Sequence, residues 1–501
     1  MEVMKIQMHN RDFTPCAPTR IDLQVEKLTW KAQGGPSTAW ISGETRDTGW
    51  GIQAAQWAQD ILRRPVDILN QTGEKAWWGY IQRVEVQHAG FRLVVDLGEL
   101  ANRVCVEYWR REAQLEWTGV KTFTPWVDDL DSQRLYGVKE RIFRLGSMDE
   151  LEALQARDTL LTQHSRPRPH LTSLPQHNDG VRVRLECRGW WETLTWKASR
   201  FNDGYEGYVQ PAQLVQNLGR SATIDAKVAQ SFQTGYGPWK LGEAVVNLRA
   251  IGSNTDGVRL ELCADANGIP GTMLASAEVS AAVISGARWW ARFVFSTRAQ
   301  IAASTRYWLV LSRTGVLQTS NYYYLYLDNT NSYPGGKLMF WNGSSWQDSN
   351  AGLADINFYV VGYISRLARL NELAGSGLGG QFLNGIQVNT AVSGDTLLWR
   401  EGILNCGEDL LNLLDTGGDG NRLLVRVDAD RRLVVSSEPA GQDWLFCLNG
   451  AGELRTRSGR VAMSLDQPAG QRVLLVNGWE TQPVIIEELE WTPEHGLTVR
   501  W

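Results

Sequence analysis

The chain has 501 residues, of which 43% are hydrophobic, and its 50 Lys and Arg against 55 Asp and Glu give a net charge of -5. This composition supplies packed cores and excludes wholesale disorder. The near balance of charge argues against a protein that binds nucleic acid or anionic membranes, because such proteins need a basic surface. The absence of an apolar run of about 18 residues also predicts no membrane span.

Turn-separated strands characterise the start of the chain. Period-two patterns predict strands at residues 76–88 and 91–97, with His88-Ala89-Gly90 as the turn between them. A weaker helical pattern covers residues 53–62 and ends before Pro65. These features predict a β domain with little helix.

The clearest helix is predicted at residues 147–161. Ser147 and Glu150 have the spacing of a capping box, in which each side chain bonds the other's free backbone amide. Apolar residues then recur at helical intervals up to Leu161, and Pro167 stops the helix. Residues 1–165, with strands separated by Gly-rich turns and this helix at the end, are predicted to form the first domain, of β-barrel or sandwich type.

Residues 166–226 are predicted to be a linker followed by further strands of the same host. A proline-bearing loop covers residues 166–179, and the alternation of apolar and charged residues from Val181 to Cys187 predicts a strand with one wet face. Three histidines cluster near the loop, namely His164, His170 and His177. Their spacing matches no closed zinc site, so ordinary loop histidines are favoured over a metal site.

Residues 227–363 form an aromatic-rich, β-patterned block that predicts an inserted β-sandwich. An inserted domain usually adds a binding surface, because it enters at an exposed loop. Trp341 and Trp346 flank a tight polar turn, so at least one indole is expected at the surface. An exposed aromatic ring beside polar side chains suits a sugar. The predicted carbohydrate site comprises Trp341, Asn342, Trp346, Tyr323 and Asp328; the alternative is one packed Trp and one Trp at the rim.

No motif of catalysis or metal binding is found. The turns at residues 265–268 and 328–331 carry oxygens suited to Ca²⁺, but neither has the EF-hand pattern, and plain turns are favoured. Adjacent carboxylates such as Asp128 and Asp129 point to opposite faces of a strand, unlike a glycosidase pair. We therefore predict no catalytic residue, no cofactor and no metal. A glycoside hydrolase with carboxylates on separate elements stays a less favoured alternative.

Residues 364–501 are predicted to be a second host β domain. A short helix is expected at residues 407–414 with Asn405 as its cap, followed by a hairpin of residues 423–427 and 433–437. The patterns predict a mainly β fold, with flanking β domains of barrel or sandwich type, a few short helices and an inserted β-sandwich.

The flanking segments resemble the baseplate hub, or minor tail protein, of long-tailed bacteriophages. The resemblance lies in several diffuse stretches: Leu97 to Val104, Tyr136 to Glu140, the 147–161 helix, Val183 to Trp191 with Trp196, Gly380 to Ile386, Leu410 to Gly418 and Leu423 to Pro439. In that family the hub proteins form a threefold ring between the tail tube and the tip. The resemblance therefore implies that this chain forms a homotrimer. It also implies that the partners of the homotrimer are tail-tube, distal-tail and tip proteins.

The block from Ala229 to Tyr363 resembles a jelly-roll module of phage and secreted bacterial proteins. Its marks are Ala229-Gln230-Ser231-Phe232, Asn267-Gly268-Ile269-Pro270-Gly271 before Leu274-Ala275, Tyr307-Trp308, Gly335-Gly336 and Trp346. Such modules often bind carbohydrate, and many are architectural. A lysozyme-like or peptidase extension is not evident, so cell-wall digestion is not expected.

Together these features predict a non-enzymatic structural subunit of a phage tail tip, assembled in the host cytoplasm and located in the virion tail. Its inserted jelly roll would contact a host-surface glycan or a neighbouring subunit. The alternative from another class is a cell-surface carbohydrate-binding protein unconnected with virions. The lack of a secretory signal at Met1 to Asp12 argues against that alternative.

Overall fold

A computed structural model shows a mainly β protein with several sheets and a half-barrel, which confirms the predicted fold class. It describes residues 4–16, 21–45, 53–111, 121–175, 180–199, 205–208, 214–220, 225–235, 239–284, 286–328, 333, 335–349, 354–397, 404–415, 423–437, 444–447, 454–456, 472–477, 480–485, 487–494 and 496–500. No helix within these ranges combines the length and the apolar character needed to cross a membrane.

The chain forms two compact units. Unit 1 comprises residues 1–199, 370–392 and 404–501, and unit 2 comprises residues 200–369 and 393–403. The predicted insert, 227–363, lies inside unit 2, which starts earlier and also takes up residues 393–403. The predicted linker 166–226 is divided between the units after Ser199. The flanks predicted as separate domains, 1–165 and 364–501, both contribute to unit 1.

Unit 1 is built around a sheet of ten strands in the order β1-β4-β5-β12-β3-β2-β34-β35, with β6 and β11 attached at β5. Its first part contains β1 Lys5–Met8, β2 Asp22–Lys31, β3 Gly35–Thr45, α1 Ala54–Ile61, β4 Pro65–Leu69, β5 Lys75–His88, β6 Phe91–Asp96, β7 Arg103–Arg110, β8 Lys121–Phe123, β9 Val127–Asp128, α2 Leu130–Tyr136, β10 Glu140–Met148, α3 Glu150–His164, β11 His170–Ser173, β12 Val181–Gly189 and a 3₁₀ helix Trp190–Trp196.

The C-terminal part of the chain completes this unit. After α4 Arg366–Leu373, which crosses the boundary between the units, it contributes β26 Ile386–Val388, α5 Cys406–Asp415, β28 Leu423–Val427, β29 Leu433–Ser437, β30 Trp444–Cys447, β31 Leu454–Thr456, β32 Arg472–Asn477, β33 Glu480–Ile485, β34 Glu488–Thr492 and β35 Gly496–Arg500. One hydrophobic core contains buried side chains from both parts, such as Leu28, Trp190, Leu410 and Val425.

Strand β12 lies at the centre of the large sheet, between β5 and β3. Val181, Val183 and Leu185 are buried and Arg182 and Arg184 are exposed, which confirms the predicted strand with one wet face. Gly189 is the last residue of the strand, and the position requires glycine because a Cβ there would lie 1.7 Å from the carbonyl oxygen of Pro36.

The prediction for the main helix was wrong at its start. Helix α3 runs from Glu150 to His164, and its capping box is formed by Asp149 and Glu152. Ser147 instead belongs to β10, where it pairs with Trp109 of the parallel strand β7. Ser147 with Glu150 and Asp149 with Glu152 have the same three-residue spacing of a capping box. Because Ser147 pairs with β7, the helix starts after Asp149 instead. Leu151, expected on the apolar face, is 65% exposed.

The remaining local predictions for unit 1 fare better. The hairpins β5–β6 and β28–β29 and the helices α1 and α5 are confirmed within a residue or two. Asn405 caps α5 as predicted, because its side chain accepts a hydrogen bond of 2.9 Å from the Glu408 amide. The predicted loop at 166–179 contains a strand, β11, which pairs with β6. Helices α2 and α4 were not predicted.

Unit 2 contains two sheets. Its strands are β13 Tyr205–Tyr208, β14 Leu214–Leu218, β15 Lys227–Gln233, β16 Trp239–Ile251, β17 Val258–Asp265, β18 Pro270–Val279, β19 Trp289–Ile301, β20 Arg306–Arg313, β21 Tyr322–Asp328, β22 Lys337–Trp341, β23 Trp346–Asp348, β24 Asp355–Ile356, β25 Phe358–Ser365 and β27 Asp395–Leu397. The first sheet has the order β13-β25-β16-β21-β14, with β19 on β16, β24 on β21 and β27 on β25. The second has the order β18-β17-β20-β15-β22-β23.

The two sheets of unit 2 share one core. Alternate residues of each strand contribute to it, as in Leu260 and Leu262 of β17 or Ala244 and Val246 of β16. Since successive side chains of a strand point to opposite faces, the residues in between lie on the outer faces of the sandwich. Four of the five predicted binding residues lie on these outer faces or in the turns that join them, whereas Tyr323 lies in the core.

Candidate functional site

The predicted Trp pair lies at an edge of the second sheet of unit 2. Trp341 ends β22, Trp346 begins β23, and the two residues are direct partners in the antiparallel register. Their rings meet edge to face, with centroids 5.5 Å apart and an interplanar angle of 66°. Both side chains are half-buried. One hairpin therefore presents two indole rings to solvent, a geometry suited to stacking on the apolar face of a sugar.

Trp346 is held in place by a small apolar cluster on the outer face of this sheet. Ala229, Cys263, Trp308, Val310 and Met339 are buried there, and Trp346 packs against them. Trp308 itself is fixed by a hydrogen bond of 2.7 Å from its indole nitrogen to Asp265 Oδ1. Of the two indoles, only Trp346 belongs to this cluster.

Asn342 is chiefly a turn residue. Its side-chain oxygen accepts hydrogen bonds from the amides of Ser344 and Ser345, at 2.9 and 2.8 Å. Gly343, which follows Asn342 in the turn, has a φ of 100°, a backbone conformation that favours glycine. The amide oxygen thus shapes the turn, and the NH₂ group is the part of Asn342 suited to a ligand.

The other two predicted site residues do not join the hairpin. Tyr323 is fully buried in the core of unit 2, and its hydroxyl donates to the carbonyl of Asp256. The placement of Tyr323 in a surface site is therefore wrong. Asp328 ends β21 in the first sheet, opposite Asp355 of β24, whereas the indoles belong to the second sheet. The predicted turn residues 329–331 lie outside the described residues.

The structure reveals an aromatic column that the sequence analysis missed. Because Tyr323, Leu325 and Leu327 of β21 point into the core, Tyr322, Tyr324 and Tyr326 lie on the outer face of the first sheet. We call these three residues the tyrosine column. The alternation in Tyr-Tyr-Tyr-Leu-Tyr-Leu was visible in the sequence and, read with a period of two, assigns the column to the face opposite the leucines.

Carboxylates gather in one cleft of unit 1. The cleft has a volume of about 710 Å³ on the large sheet, and its lining includes Asp22, Glu26, Glu44 and Glu85. Three of them form ion pairs: Glu44 with Arg182 at 2.6 Å, Glu85 with Arg92 at 2.6 Å and Glu26 with Arg184 at 3.1 Å.

The pKa of Glu85 does not suit a general acid. Burial disfavours its charged form, but hydrogen bonds from Arg92 and Gln87 outweigh burial and lower the pKa. A glycosidase acid needs a raised pKa. Glu85 is therefore held as a carboxylate by its ion pair with Arg92 and by these hydrogen bonds.

No metal centre is built from the described part of the chain, where no group of three His, Cys, Asp or Glu side chains is suitably arranged. His164 contacts the carbonyl oxygen of Glu99 at 3.1 Å, and His170 lies in β11. His177 lies outside the described residues. Buried Cys187 and Cys263 have raised thiol pKa values, about 11 for Cys263, because burial disfavours the thiolate.

Comparisons with known proteins leave the family open. No family model and no curated protein matches the chain. The cysteine protease and lectin-like domains of Cwp84, a surface-layer-associated protein of Clostridium difficile, align at 11% identity over 38% of this chain and 41% of that one, with a TM-score of 0.22.

Two further solved structures align as weakly. A glycoside hydrolase family 43 arabinoxylan arabinofuranohydrolase from Bacillus subtilis aligns at 12% identity over 57% of this chain and 63% of that one, with a TM-score of 0.15. The Cry4Aa toxin of Bacillus thuringiensis aligns at 8% identity over 65% and 57%, with a TM-score of 0.17. In all three cases the chain spans less than two thirds of the other protein. Such TM-scores carry no argument, so function is argued from the chain's own residues.

Proposed function

We propose that the chain is a structural subunit of a phage tail tip whose unit 2 contacts glycans of the host surface. In this proposal three copies of the chain assemble through unit 1 as a homotrimer. The homotrimer then contacts tail-tube, distal-tail and tip proteins. The hub assignment is supported by the sequence resemblance of the flanking segments. The glycan assignment is supported by one observation above all, the half-buried indole pair of Trp341 and Trp346 on a single hairpin.

The hairpin suits binding rather than chemistry. Two aromatic rings with an amide NH₂ group beside them provide a stacking surface and a hydrogen-bond donor for sugar hydroxyls. Glu26, Glu44 and Glu85 of the unit 1 cleft each form an ion pair with an arginine, which favours recognition over acid catalysis. We therefore propose no enzymatic activity.

The glycan proposal is tested with the full-length protein on a panel of neutral and acidic bacterial surface polysaccharides. Trp341→Ala is expected to weaken binding about tenfold, because it removes one stacking ring. Phe91→Ala is the matched control, since Phe91 is an aromatic residue of unit 1 that is 52% exposed. Silence across the whole panel, or an equal effect of both substitutions, would contradict a glycan site at the hairpin.

The hub proposal needs a separate test in particles. We expect mass spectrometry of purified phage or tail-like particles to detect the chain. Electron microscopy should place it on the tail axis near the tip. Native mass spectrometry of the protein should give three times the mass of one chain. A chain found in the cell envelope and absent from particles would instead identify a cell-surface carbohydrate-binding protein. A monomer at micromolar concentration would contradict the trimer.

A further inference from the structure

We propose that the tyrosine column and three arginines beside it form a second binding surface of unit 2, specific for an acidic polysaccharide. This inference rests on the proposed glycan-binding function and adds a ligand class and a site distinct from the Trp hairpin. The surface lies on the outer face of the first sheet, whereas the hairpin belongs to the second sheet.

The column presents aromatic rings at regular intervals. Tyr322, Tyr324 and Tyr326 alternate along β21, so neighbouring rings repeat at about 6.6–6.8 Å along the strand. Tyr324 and Tyr326 are half-buried, and Tyr322 is 8% exposed. The hydroxyls of Tyr322 and Tyr324 lie 3.3 Å apart. An extended chain of sugar rings running along β21 would meet the exposed parts of the Tyr324 and Tyr326 rings together with tyrosine hydroxyl groups.

An arginine accompanies each tyrosine of the column. The guanidinium of Arg220 lies 5.2 Å from the centroid of Tyr322, and that of Arg288 lies 4.6 Å from the centroid of Tyr326. Arg249 is the direct partner of Tyr324 in the pairing of β16 with β21, and its side chain is exposed. Three cations therefore lie beside three rings on one face.

In the part of the chain that the structure describes, two of the three arginines lack the ion pairs that other cations on the same sheet form, and the Arg288 guanidinium donates a hydrogen bond of 3.1 Å to Asn247 Oδ1. Arg220 and Arg249 form no ion pair with any described residue. Elsewhere on the sheet, Arg292 pairs with Glu243 at 2.6 Å, and Lys240 and Arg298 both pair with Asp395 at 2.8 Å. The carboxyl group of Asp225, near Arg220, is buried and accepts a hydrogen bond from Gln216. Asp328 lies on the same outer face, two residues beyond Tyr326, so this strip of the surface carries three arginines and one acidic residue on a chain of net charge -5.

Aromatic stacking combined with guanidinium groups defines the ligand as a polyanion with ring faces. Arginine binds carboxylate in a two-pronged geometry, which a uronic acid or a related acidic sugar offers on each repeat. Single-stranded nucleic acid has rings and charges too, but non-specific binders of it use a long positively charged groove. The strip has three arginines in a chain of negative net charge, which favours the acidic polysaccharide.

The test uses full-length protein with polygalacturonate, alginate and hyaluronan, each beside its carboxyl-reduced form, and with an oligothymidine. The double substitution Arg220→Gln with Arg249→Gln changes two exposed side chains and is expected to weaken binding of an acidic polymer about tenfold. Arg306→Gln is the matched control, because Arg306 is exposed on the second sheet. Tyr324→Ala is expected to weaken binding to a similar extent, and added salt to weaken binding by the unsubstituted protein.

Binding of the acidic polymers but not of their reduced forms, lost with the paired arginine substitutions and kept in Arg306→Gln, would support the inference. It is overturned if reduced and acidic forms bind alike, if Arg306→Gln has an equal effect, or if oligothymidine is the ligand that depends on Arg220 and Arg249. A change in oligomeric mass on the paired substitution, without a change in polymer binding, would assign the face to another copy.

The two glycan proposals fail in different ways. If Trp341→Ala abolishes glycan binding and the arginine substitutions leave it unchanged, the hairpin proposal stands and the column proposal is wrong. If no neutral or acidic polymer binds the full-length protein, both are wrong.

Discussion

At the scale of single residues, unit 2 contains a buried carboxyl group, that of Asp355, which forms no ion pair with any residue that the structure describes. Asp355 is fully buried, and its Oδ1 accepts a hydrogen bond of 2.8 Å from Gln230. Burial raises the pKa of Asp355 above its ordinary value of 3.8, the hydrogen bond from Gln230 opposes this only in part, and the nearby charge of Asp328 adds to the rise.

This raised pKa predicts how the stability of unit 2 depends on pH. The contribution of Asp355 is fully present below pH 3.8 and is lost as pH rises through the higher pKa of the folded state. The asparagine of Asp355→Asn does not titrate. The free energy of unfolding of this variant, relative to that of the unsubstituted protein, should therefore increase as pH rises, by on the order of 1 kcal/mol.

Urea unfolding across this pH range measures the difference between the two proteins. Asp348→Asn is the control, because Asp348 is an exposed residue of the same unit that pairs with Lys337. A difference for Asp355→Asn that stays constant with pH would contradict the pKa shift.

At the scale of elements, the start of α3 makes a second prediction. The Asp149 side chain accepts a hydrogen bond of 2.8 Å from the Glu152 amide, and the Glu152 side chain accepts one of 3.0 Å from the Asp149 amide. Asp149→Ala should therefore destabilise the first turn by about 1 kcal/mol. Ser147→Ala, in the preceding strand, should change stability by less than about 0.5 kcal/mol. Hydrogen exchange of residues 150–154 measures both, and equal exchange in the two variants would show that Asp149 is not the cap.

Periodicity and turn signals predicted the hairpins, α1 and α5 closely, whereas the start of α3 and the short helices α2 and α4 were missed. The alternation of residues 181–187 fixed β12, and the turn at Ala89-Gly90 fixed the β5–β6 hairpin. The start of α3 was missed because two candidate caps had equal spacing, and only pairing with β7 decides between them. Tyr323 was assigned to the wrong face of β21. Because side chains alternate along a strand, its neighbours Tyr322 and Tyr324 lie on the outer face and Tyr323 points into the core.

The candidate site was predictable in part, for a similar reason. Trp341 and Trp346 are five residues apart across a tight turn, so local sequence was enough to bring them together. Asp328 was included in the predicted carbohydrate site because it begins a turn. Nothing in the local sequence indicated that β21 and β22 belong to different sheets. The arginines of the column come from separate strands and loops, a juxtaposition that only the sheet order reveals.

At the scale of the whole molecule, unit 1 is assembled from segments that are far apart in sequence. The Gln33 side chain donates to the Leu423 carbonyl at 2.9 Å and accepts from the Val425 amide at 2.8 Å. The indole of Trp78 donates to the Val427 carbonyl at 3.1 Å, and β34 pairs with β2. These contacts extend the large sheet and its core into the C-terminal part of the chain, which the sequence analysis had treated as a separate domain.

The shared core predicts that residues 1–199 do not fold alone. Residues 370–501 supply buried side chains to it, among them Leu410, Leu413, Val425 and Leu433. Each such side chain contributes roughly 2 kcal/mol, so losing even a few removes much of the about 5–15 kcal/mol that stabilises a domain. We expect fragment 1–199 to lack near-ultraviolet circular dichroism and a cooperative unfolding transition, and co-expression with fragment 370–501 to restore both. Cooperative unfolding of 1–199 by itself would show that the N-terminal segment is an independent domain.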